Sequence, residues 1–284
     1  MIEQIKITEC PRDAIQGIHE FIPTTLKAEY ISSILKVGFD VVDFGSFVSP
    51  KIIPQLKDTK EVLRKLDLDS NSKLLSIVAN SRGASDAAKF PEISIIGFPF
   101  SVSETFQLRN TNSTRIEALE SVKKIKEISG KVNQKLRVYL SMGFGNPYQE
   151  DYSSDIVLEW AHKLNEIGVQ ELAISDTIGV SNPENISAVF GLLKKELPEM
   201  EFSAHLHSAP HNWEEKVAAA FKAGCRSFDS AIKGYGGCPM AKDDLVGNLA
   251  TENLITHFKD NIDINFNMEA FENSLKISEK IFIG

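Results

Sequence analysis

The chain has 284 residues, of which 42% are hydrophobic and 25% charged, and its formal net charge is −8. This composition is typical of a globular protein with a sizeable core, and the acidic balance argues against nucleic acid or an anionic membrane surface as the main partner. No apolar run approaches the roughly 20 residues of a membrane span, and the first residues lack the pattern of a signal peptide. Three cysteines imply no disulfide framework, so we expect a cytoplasmic protein.

Short β-branched runs alternate with amphipathic helical patterns along the chain. Strands are predicted at 2–8, 41–45, 73–79, 93–98, 136–142, 171–175, 202–207 and 227–229. Helices are predicted at 25–37, 55–66, 84–89, 115–128, 154–167, 183–196, 213–223 and 247–258. Such alternation favours a parallel sheet, and eight units fit an α/β fold closed into a (β/α)8 TIM barrel.

One domain is expected over residues 1–284, with the barrel over about 1–260 and an extra C-terminal helix over about 266–284. An open, doubly wound sheet is the alternative architecture, although it usually has fewer strands. In a barrel of this type the chemistry lies at the carboxyl ends of the strands. Polar residues directly after predicted strands are therefore the candidates for function.

Two motifs contain candidate metal ligands. Arg12 and Asp13 follow the first predicted strand, and they place a cation beside a hard oxygen ligand. His205 and His207 end the seventh strand, where side chains at i and i+2 lie on one face. Converging imidazoles near a carboxylate favour a divalent-metal site. A surface salt bridge and two unrelated strand histidines are the alternative interpretations.

Two further motifs follow the eighth predicted strand. The run Gly234–Pro239 carries Cys238 among glycines, which allow a backbone to approach a ligand closely and to move over it. Asn248 opens the next helix, where its amide either caps the helix or completes a metal shell. A buried structural thiol is the alternative for Cys238, and Cys10 and Cys225 are expected to be structural. Strands 1, 7 and 8 adjoin in a closed barrel, so these motifs are expected to meet.

Taken together, these residues resemble the 3-hydroxy-3-methylglutaryl-CoA lyase family of metal-dependent TIM-barrel lyases. The matching motifs are Pro11-Arg12-Asp13 with Gln16, Ser46-Phe47-Val48-Ser49-Pro50-Lys51, Asp176-Thr177-Ile178-Gly179-Val180, His205-x-His207, Gly236-Gly237-Cys238-Pro239 and Gly247-Asn248-Leu249-Ala250-Thr251-Glu252. The Gly-Gly-Cys-Pro loop is the more lyase-specific element, because the larger superfamily shares the Arg-Asp and His-x-His motifs.

The resemblance implies a retro-Claisen carbon–carbon lyase that cleaves 3-hydroxy-3-methylglutaryl-CoA to acetoacetate and acetyl-CoA. It implies a divalent cofactor, Mg²⁺ or Mn²⁺, and an acyl-CoA substrate, with a homodimer as the assembly. The implied metal ligands are Asp13, His205, His207 and Asn248. Catalytic roles are implied for Arg12, Cys238 and Asp43, and substrate contacts for Gln16, Ser46, Asp176, Thr177, Gly236 and Gly237.

The chain also departs from the family pattern. Asp43 stands where the family usually has Glu, Ser208 where an Asp commonly follows the histidines, and Ala173 where the family has a serine. Lys233 and Tyr235 replace small and aliphatic residues of the glycine loop. Two alternatives stay open: a Claisen-type synthase or aldolase on the same metal site, and a barrel that binds metal or acyl-CoA without turnover.

Overall fold

A computed structural model describes residues 4–237, 246–259 and 265–282. Its strands in chain order are β1 (Lys6–Glu9), β2 (Val41–Ser46), β3 (Lys73–Ile77), β4 (Ile93–Ser101), β5 (Lys135–Ser141), β6 (Glu171–Ser175), β7 (Glu201–His205), β8 (His207–Ser208), β9 (Ser227–Ser230) and β10 (Gly247–Asn248). Its helices are α1 (Pro11–Gln16), α2 (Thr24–Leu35), α3 (Thr59–Leu63), α4 (Ser81–Ala87), α5 (Glu104–Thr111), α6 (Arg115–Gly130), α7 (Ser154–Glu166), α8 (Pro183–Glu196), α9 (Trp213–Lys222), α10 (Thr251–Phe258) and α11 (Met268–Phe282).

Eight parallel strands form a closed barrel in the order β1-β2-β3-β4-β5-β6-β7-β9. The barrel closes where β1 pairs with β9, with Thr8 opposite Asp229 and Glu9 opposite Ser230. This architecture confirms the predicted (β/α)8 TIM barrel. Closure brings the carboxyl ends of β1, β7 and β9 side by side, as the sequence motifs require.

The hydrophobic core has two parts because side chains alternate between the two faces of each strand. The larger part lies between the strands and the surrounding helices, and it includes Val42, Leu74 and Ile96. The smaller part comes from strands β2 to β6 and comprises Val41, Leu75, Ile77, Ile95, Tyr139 and Ala173. Because this smaller cluster comes from the opposite strand face, apolar side chains fill part of the barrel interior.

Local capping explains why several helices begin where they do. Asn182 and Asn185 form a reciprocal capping box at the start of α8, and Pro183 occupies its first turn. Thr114 and Glu117 form the same arrangement at α6. Helix α8 has the predicted bounds, whereas most other elements differ by one to four residues at an end. Within the described residues we find no helix long and apolar enough to cross a bilayer.

The region around Asn248 is where the predicted elements were wrong. The helix predicted at 247–258 begins only at Thr251, with Ala250 in the N-cap position, so Asn248 does not cap it. Asn248 instead lies in β10, which pairs antiparallel with β8 and faces His207. The predicted strand at 202–207 is correspondingly divided, with β7 ending at His205 and β8 beginning at His207. A two-stranded pairing this short leaves no periodicity by which to recognise it in the sequence.

The first two connections also differ from the prediction. Helix α1 was not predicted, and Arg12 and Asp13 therefore lie on a helix rather than in a loop. Helix α5, farther along the chain, was not predicted either. The helix predicted at 55–66 is reduced to α3 with a short 3₁₀ turn, Pro54–Leu56, before it. Proline at each of these starts supplies a φ suited to the first turn of a helix but gives little indication of its length.

Candidate active site

Arg12 and Asp43 form a buried ion pair at the mouth of the barrel. The Arg12 guanidinium donates to Asp43 through Nε, at 2.9 Å from Oδ2, and through Nη2, at 2.5 Å from the same oxygen. Its Nη1 atom donates to Asp13 Oδ1 at 3.2 Å and to Gln16 Oε1 at 2.8 Å. Two carboxylates and an amide therefore fix the guanidinium plane, and Nη2 keeps donor capacity for a ligand.

Asp13 and Asn248 meet although they lie at opposite ends of the chain. Asn248 Nδ2 donates to Asp13 Oδ2 at 2.8 Å and to the carbonyl oxygen of Tyr235 at 2.9 Å. These two acceptors identify the nitrogen of the amide, so the Asn248 carbonyl oxygen is the atom available as a ligand. The β8–β10 pairing places His207 directly opposite Asn248.

The two histidines also lie close together, with ring centroids 5.5 Å apart. His205 Nδ1 is 3.2 Å from Asp229 Oδ2, and Asp229 is itself held by Ser203 Oγ at 2.6 Å and by Arg137 Nη1 at 3.3 Å. A histidine that donates one ring nitrogen to a carboxylate presents the other nitrogen in a fixed direction. Asp229 is thus suited to orient His205.

The electrostatics favour an ionised Asp13 and a neutral His207. At His205 burial lowers the pKa, but the hydrogen bond and the charge of Asp229 outweigh burial and raise it. Burial lowers the pKa of His207 to about 4, and the neighbouring His205 adds to this effect, so the His207 imidazole is neutral near pH 7. Burial opposes ionisation of Asp13, but Arg12, His205 and the hydrogen bond from Asn248 outweigh it and lower the pKa of that carboxyl. A carboxylate, an amide oxygen and imidazole nitrogens form a donor set that fits a divalent cation.

Cys10 lies beside this cluster. Its sulfur, His205 and Asp229 offer ligand-type atoms that all lie within 4.8 Å of one another. The Asp229 carboxylate is already engaged by Arg137, Ser203 and His205, and burial raises the pKa of the Cys10 thiol well above its ordinary value. Cys10 is therefore a neutral thiol packed behind His205, consistent with the expected structural role.

The glycine loop also approaches Asp13 and Asn248. A Cβ atom at Gly236, where φ is +90°, would lie 2.8 Å from Asn248 Nδ2 and 3.0 Å from the Asp13 carbonyl oxygen. At Gly237 it would lie 2.7 Å from the Val246 carbonyl oxygen. Both positions therefore require glycine for close backbone approach. Cys238, predicted as catalytic, lies outside the described residues.

The remaining predicted contacts are engaged with the protein itself. Ser46 Oγ accepts from the Val48 backbone at 3.1 Å, and Thr177 Oγ1 accepts from the Met142 backbone at 2.8 Å. Asp176 binds Lys216 and Ser181. The structure thus brings Gln16 to Arg12 and Gly236 to Asp13. The side chains of Ser46, Thr177 and Asp176 instead support the neighbouring loops.

Three residues of the site were not identified from the sequence. Tyr139, Asp229 and Lys216 lie within stretches predicted as ordinary strand or helix. The Tyr139 ring meets His205 edge-on at 5.7 Å, and its buried hydroxyl has no hydrogen-bond partner among the described residues. For Asp229 a signal existed, since an acidic residue inside an apolar strand indicates a paired interior position. Tyr139 and Lys216 fit an ordinary strand and helix pattern.

Comparison with known proteins identifies the family. The HMGL-like family model matches residues 4–275. The chain belongs to the HMGL-like family. It is 31% identical over 259 residues to hydroxymethylglutaryl-CoA lyase YngG of Bacillus subtilis, covering 91% of this chain and 86% of that protein. It is 32% identical to the mitochondrial hydroxymethylglutaryl-CoA lyase of Mus musculus, covering 89% and 78% respectively.

Solved structures of the family show the same barrel. The HMG-CoA lyase from Bacillus subtilis superposes with a TM-score of 0.92 at 30% identity, covering 98% of this chain and 93% of that one. An Acinetobacter baumannii HMG-CoA lyase in complex with coenzyme A and 3-methylmalate gives 0.89 at 26% identity, covering 98% and 91%. These relatives are carbon–carbon lyases by name, which confirms the predicted family and enzyme class. The family is metal-dependent, in agreement with the donor set at the barrel mouth.

Proposed function

We propose that this family member cleaves 3-hydroxy-3-methylglutaryl-CoA to acetoacetate and acetyl-CoA with a divalent cation, Mg²⁺ or Mn²⁺, bound by Asp13, His205, His207 and Asn248. The observation that carries the proposal is the meeting of Asp13 with Asn248 beside the two histidines and Arg12. The names of its relatives support the substrate, and the bound coenzyme A in one related structure supports an acyl-CoA ligand.

The reaction breaks the bond between the tertiary alcohol carbon and the α-carbon of the thioester. The hydroxyl loses its proton, its oxygen becomes the ketone of acetoacetate, and the electron pair of the broken bond remains on the α-carbon as an enolate. That enolate then takes up a proton and becomes acetyl-CoA. A divalent cation would supply Lewis acidity, which lowers the pKa of the substrate hydroxyl and orients it.

The residues of the chain provide the other requirements. Arg12 is aimed by Asp43, Asp13 and Gln16, and its free donor capacity suits the thioester oxygen where negative charge develops. We assign Asp43 the role of holding the Arg12 guanidinium toward the substrate; burial raises the pKa of this carboxyl, an effect that Arg12 only partly offsets. We assign Cys238 a role in protonating the departing fragment, and Gly236 and Gly237 the backbone contacts to substrate.

The test is acetoacetate formation by the purified protein from the authentic thioester. We expect activity that EDTA abolishes and that added Mg²⁺ or Mn²⁺ restores, and the two ions can be ranked by titration. Activity that survives removal of the ion would overturn the metal-dependent mechanism. Release of CoA from acetyl-CoA only after addition of a 2-oxo acid would instead identify a Claisen-type synthase.

We also propose a homodimer in the cytoplasm. The family resemblance supports the dimer, which light scattering coupled to size exclusion would test. The cytoplasm is supported by a similar lyase of Rattus norvegicus whose name specifies that compartment, although the related Mus musculus protein is mitochondrial. The buried free thiols Cys10 and Cys225 are compatible with a reducing compartment.

A further inference from the structure

Lys216 is a lysine buried beneath the proposed metal site. It lies on the inner face of α9 with 1% of its surface exposed. Its ammonium group is 2.8 Å from the His207 carbonyl oxygen, 3.2 Å from Asp176 Oδ2 and 3.4 Å from the Gly179 carbonyl oxygen. An ammonium group has three N–H donors, and here each has an acceptor.

These acceptors belong to two neighbouring strand ends. Asp176 and Gly179 lie in the loop after β6, and His207 begins β8 after β7. The Asp176 backbone nitrogen also donates to the His205 carbonyl oxygen at 2.9 Å. Lys216 and Asp176 together therefore hold the backbone carbonyls of both histidines.

The contact with His207 extends to a third proposed ligand. His207 pairs with Asn248 across the antiparallel β8–β10 contact. A shift of the His207 backbone would consequently move Asn248 as well. Lys216 is thus connected through one carbonyl to two of the four residues proposed to bind the cation.

A contribution to the stability of the fold does not by itself explain why a charged side chain occupies position 216. Val217, Ala219 and Ala220 of the same helix fill the adjoining space with apolar side chains. Removing an ammonium group from water costs several kcal/mol, and a buried ion pair often adds little over a packed apolar residue. A rigid, directed donor is what an apolar side chain cannot provide.

We propose that Lys216 is a positioning residue that fixes His207 and Asn248 for cation binding. The inference rests on the proposed function, because it takes His207 and Asn248 as ligands. Partners of metal ligands typically change metal affinity by about 10- to 100-fold when they are removed. We expect a loss of that size for Lys216, visible without any substrate.

The experiment measures Mn²⁺ affinity of the full chain by calorimetry, with and without the substitution Lys216→Met. Methionine is unbranched, fills most of the space of the lysine side chain and removes its donors. The expected result is Mn²⁺ binding weakened about 10- to 100-fold. Lys222→Met, on the exposed side of the same helix, serves as the matched control and should bind as the unsubstituted protein does.

Lys216→Met also leaves the Asp176 carboxylate buried without its cation, which can destabilise the fold. The double variant Lys216→Met with Asp176→Asn removes both charges, and we expect it to fold and to show the same loss of affinity. Unchanged Mn²⁺ affinity in a folded variant would overturn the role of Lys216 alone. Absence of Mn²⁺ binding by the unsubstituted protein would overturn the proposed metal site, and the role of Lys216 with it.

Discussion

Arg12 shows how a single side chain links the two halves of the proposed chemistry. One side of its guanidinium is bound by Asp43, and the Nη1 atom is bound by Asp13 and Gln16. The dipeptide Arg12-Asp13 is visible in the sequence, but the contact with Asp43 depends on the pairing of β1 with β2. The proposed function therefore assigns Arg12 to the substrate and Asp13 to the cation, although the two are neighbours in the chain and contact each other.

Arg12→Gln should lower kcat by about 100- to 1000-fold, the usual effect of losing a donor to a developing oxyanion. Mn²⁺ affinity should persist, because Arg12 is a cation and not a ligand. Steady-state kinetics and calorimetry on the same preparation check both expectations. Arg64→Gln, which changes an exposed arginine, is the control. Near-normal turnover of Arg12→Gln would refute the role.

Helix α11 contacts Lys233 and Tyr235, which form the stem of the glycine loop. The Tyr235 and Phe282 rings stack with centroids 3.9 Å apart and planes at 16°, and Lys233 Nζ is 2.9 Å from Glu279 Oε1. Lys233 and Tyr235 are the positions where the loop departs from the family pattern. These departures are explained by their partners on α11, which the sequence of the loop by itself could not indicate.

Phe282→Ala should loosen that stem and lower kcat/KM about 2- to 10-fold, because aromatic stacking contributes roughly 0.5–1.5 kcal/mol beyond area burial. The physical reason is that Gly236 packs against Asp13 and Asn248, so the stem sets the approach of the loop to the site. Enzyme kinetics provide the measurement, and Glu272→Ala on the exposed face of α11 is the control. A lower melting temperature with unchanged kinetics would contradict this prediction.

A buried carboxyl group with a raised pKa lies where the barrel closes between β1 and β9. Glu9, at the end of β1, accepts from the Ile232 backbone at 2.8 Å and contacts the Thr251 hydroxyl. Burial raises the pKa of Glu9 from 4.5 to about 8. The folded state thus binds a proton that the unfolded state releases between these values, and the free energy of unfolding should fall as pH rises through that range.

Glu9→Gln should remove this dependence. The amide nitrogen can donate to Thr251 while its oxygen accepts from Ile232, so below about pH 4.5 the variant should match the parent protein. Near pH 9 it should be more stable by on the order of 5 kcal/mol, from about 1.4 kcal/mol per unit of pKa. Urea unfolding at several pH values is the measurement, with the exposed Glu92→Gln as control. Parallel stability curves for Glu9→Gln and its parent would disprove the role.

For the molecule as a whole, local patterns determined the elements. Alternation, amphipathic spacing and caps such as Asn182-Pro183 are properties of adjacent residues, so the sequence predicted the (β/α)8 barrel and the end at which polar motifs gather. The family motifs then indicated the proposed ligand set. The single-domain boundaries and the roles assigned to the site residues, including Cys238, stay predictions.

Tertiary structure alone decided which polar groups meet. Asp13 and Asn248 are 235 residues apart, and their contact exists only because the barrel closes and β10 pairs with β8. The same closure places Asp229 and Tyr139 against His205, and it places Lys216 against His207. Periodicity says which side of an element is buried, whereas register and closure select the partner, and those depend on packing over the entire chain.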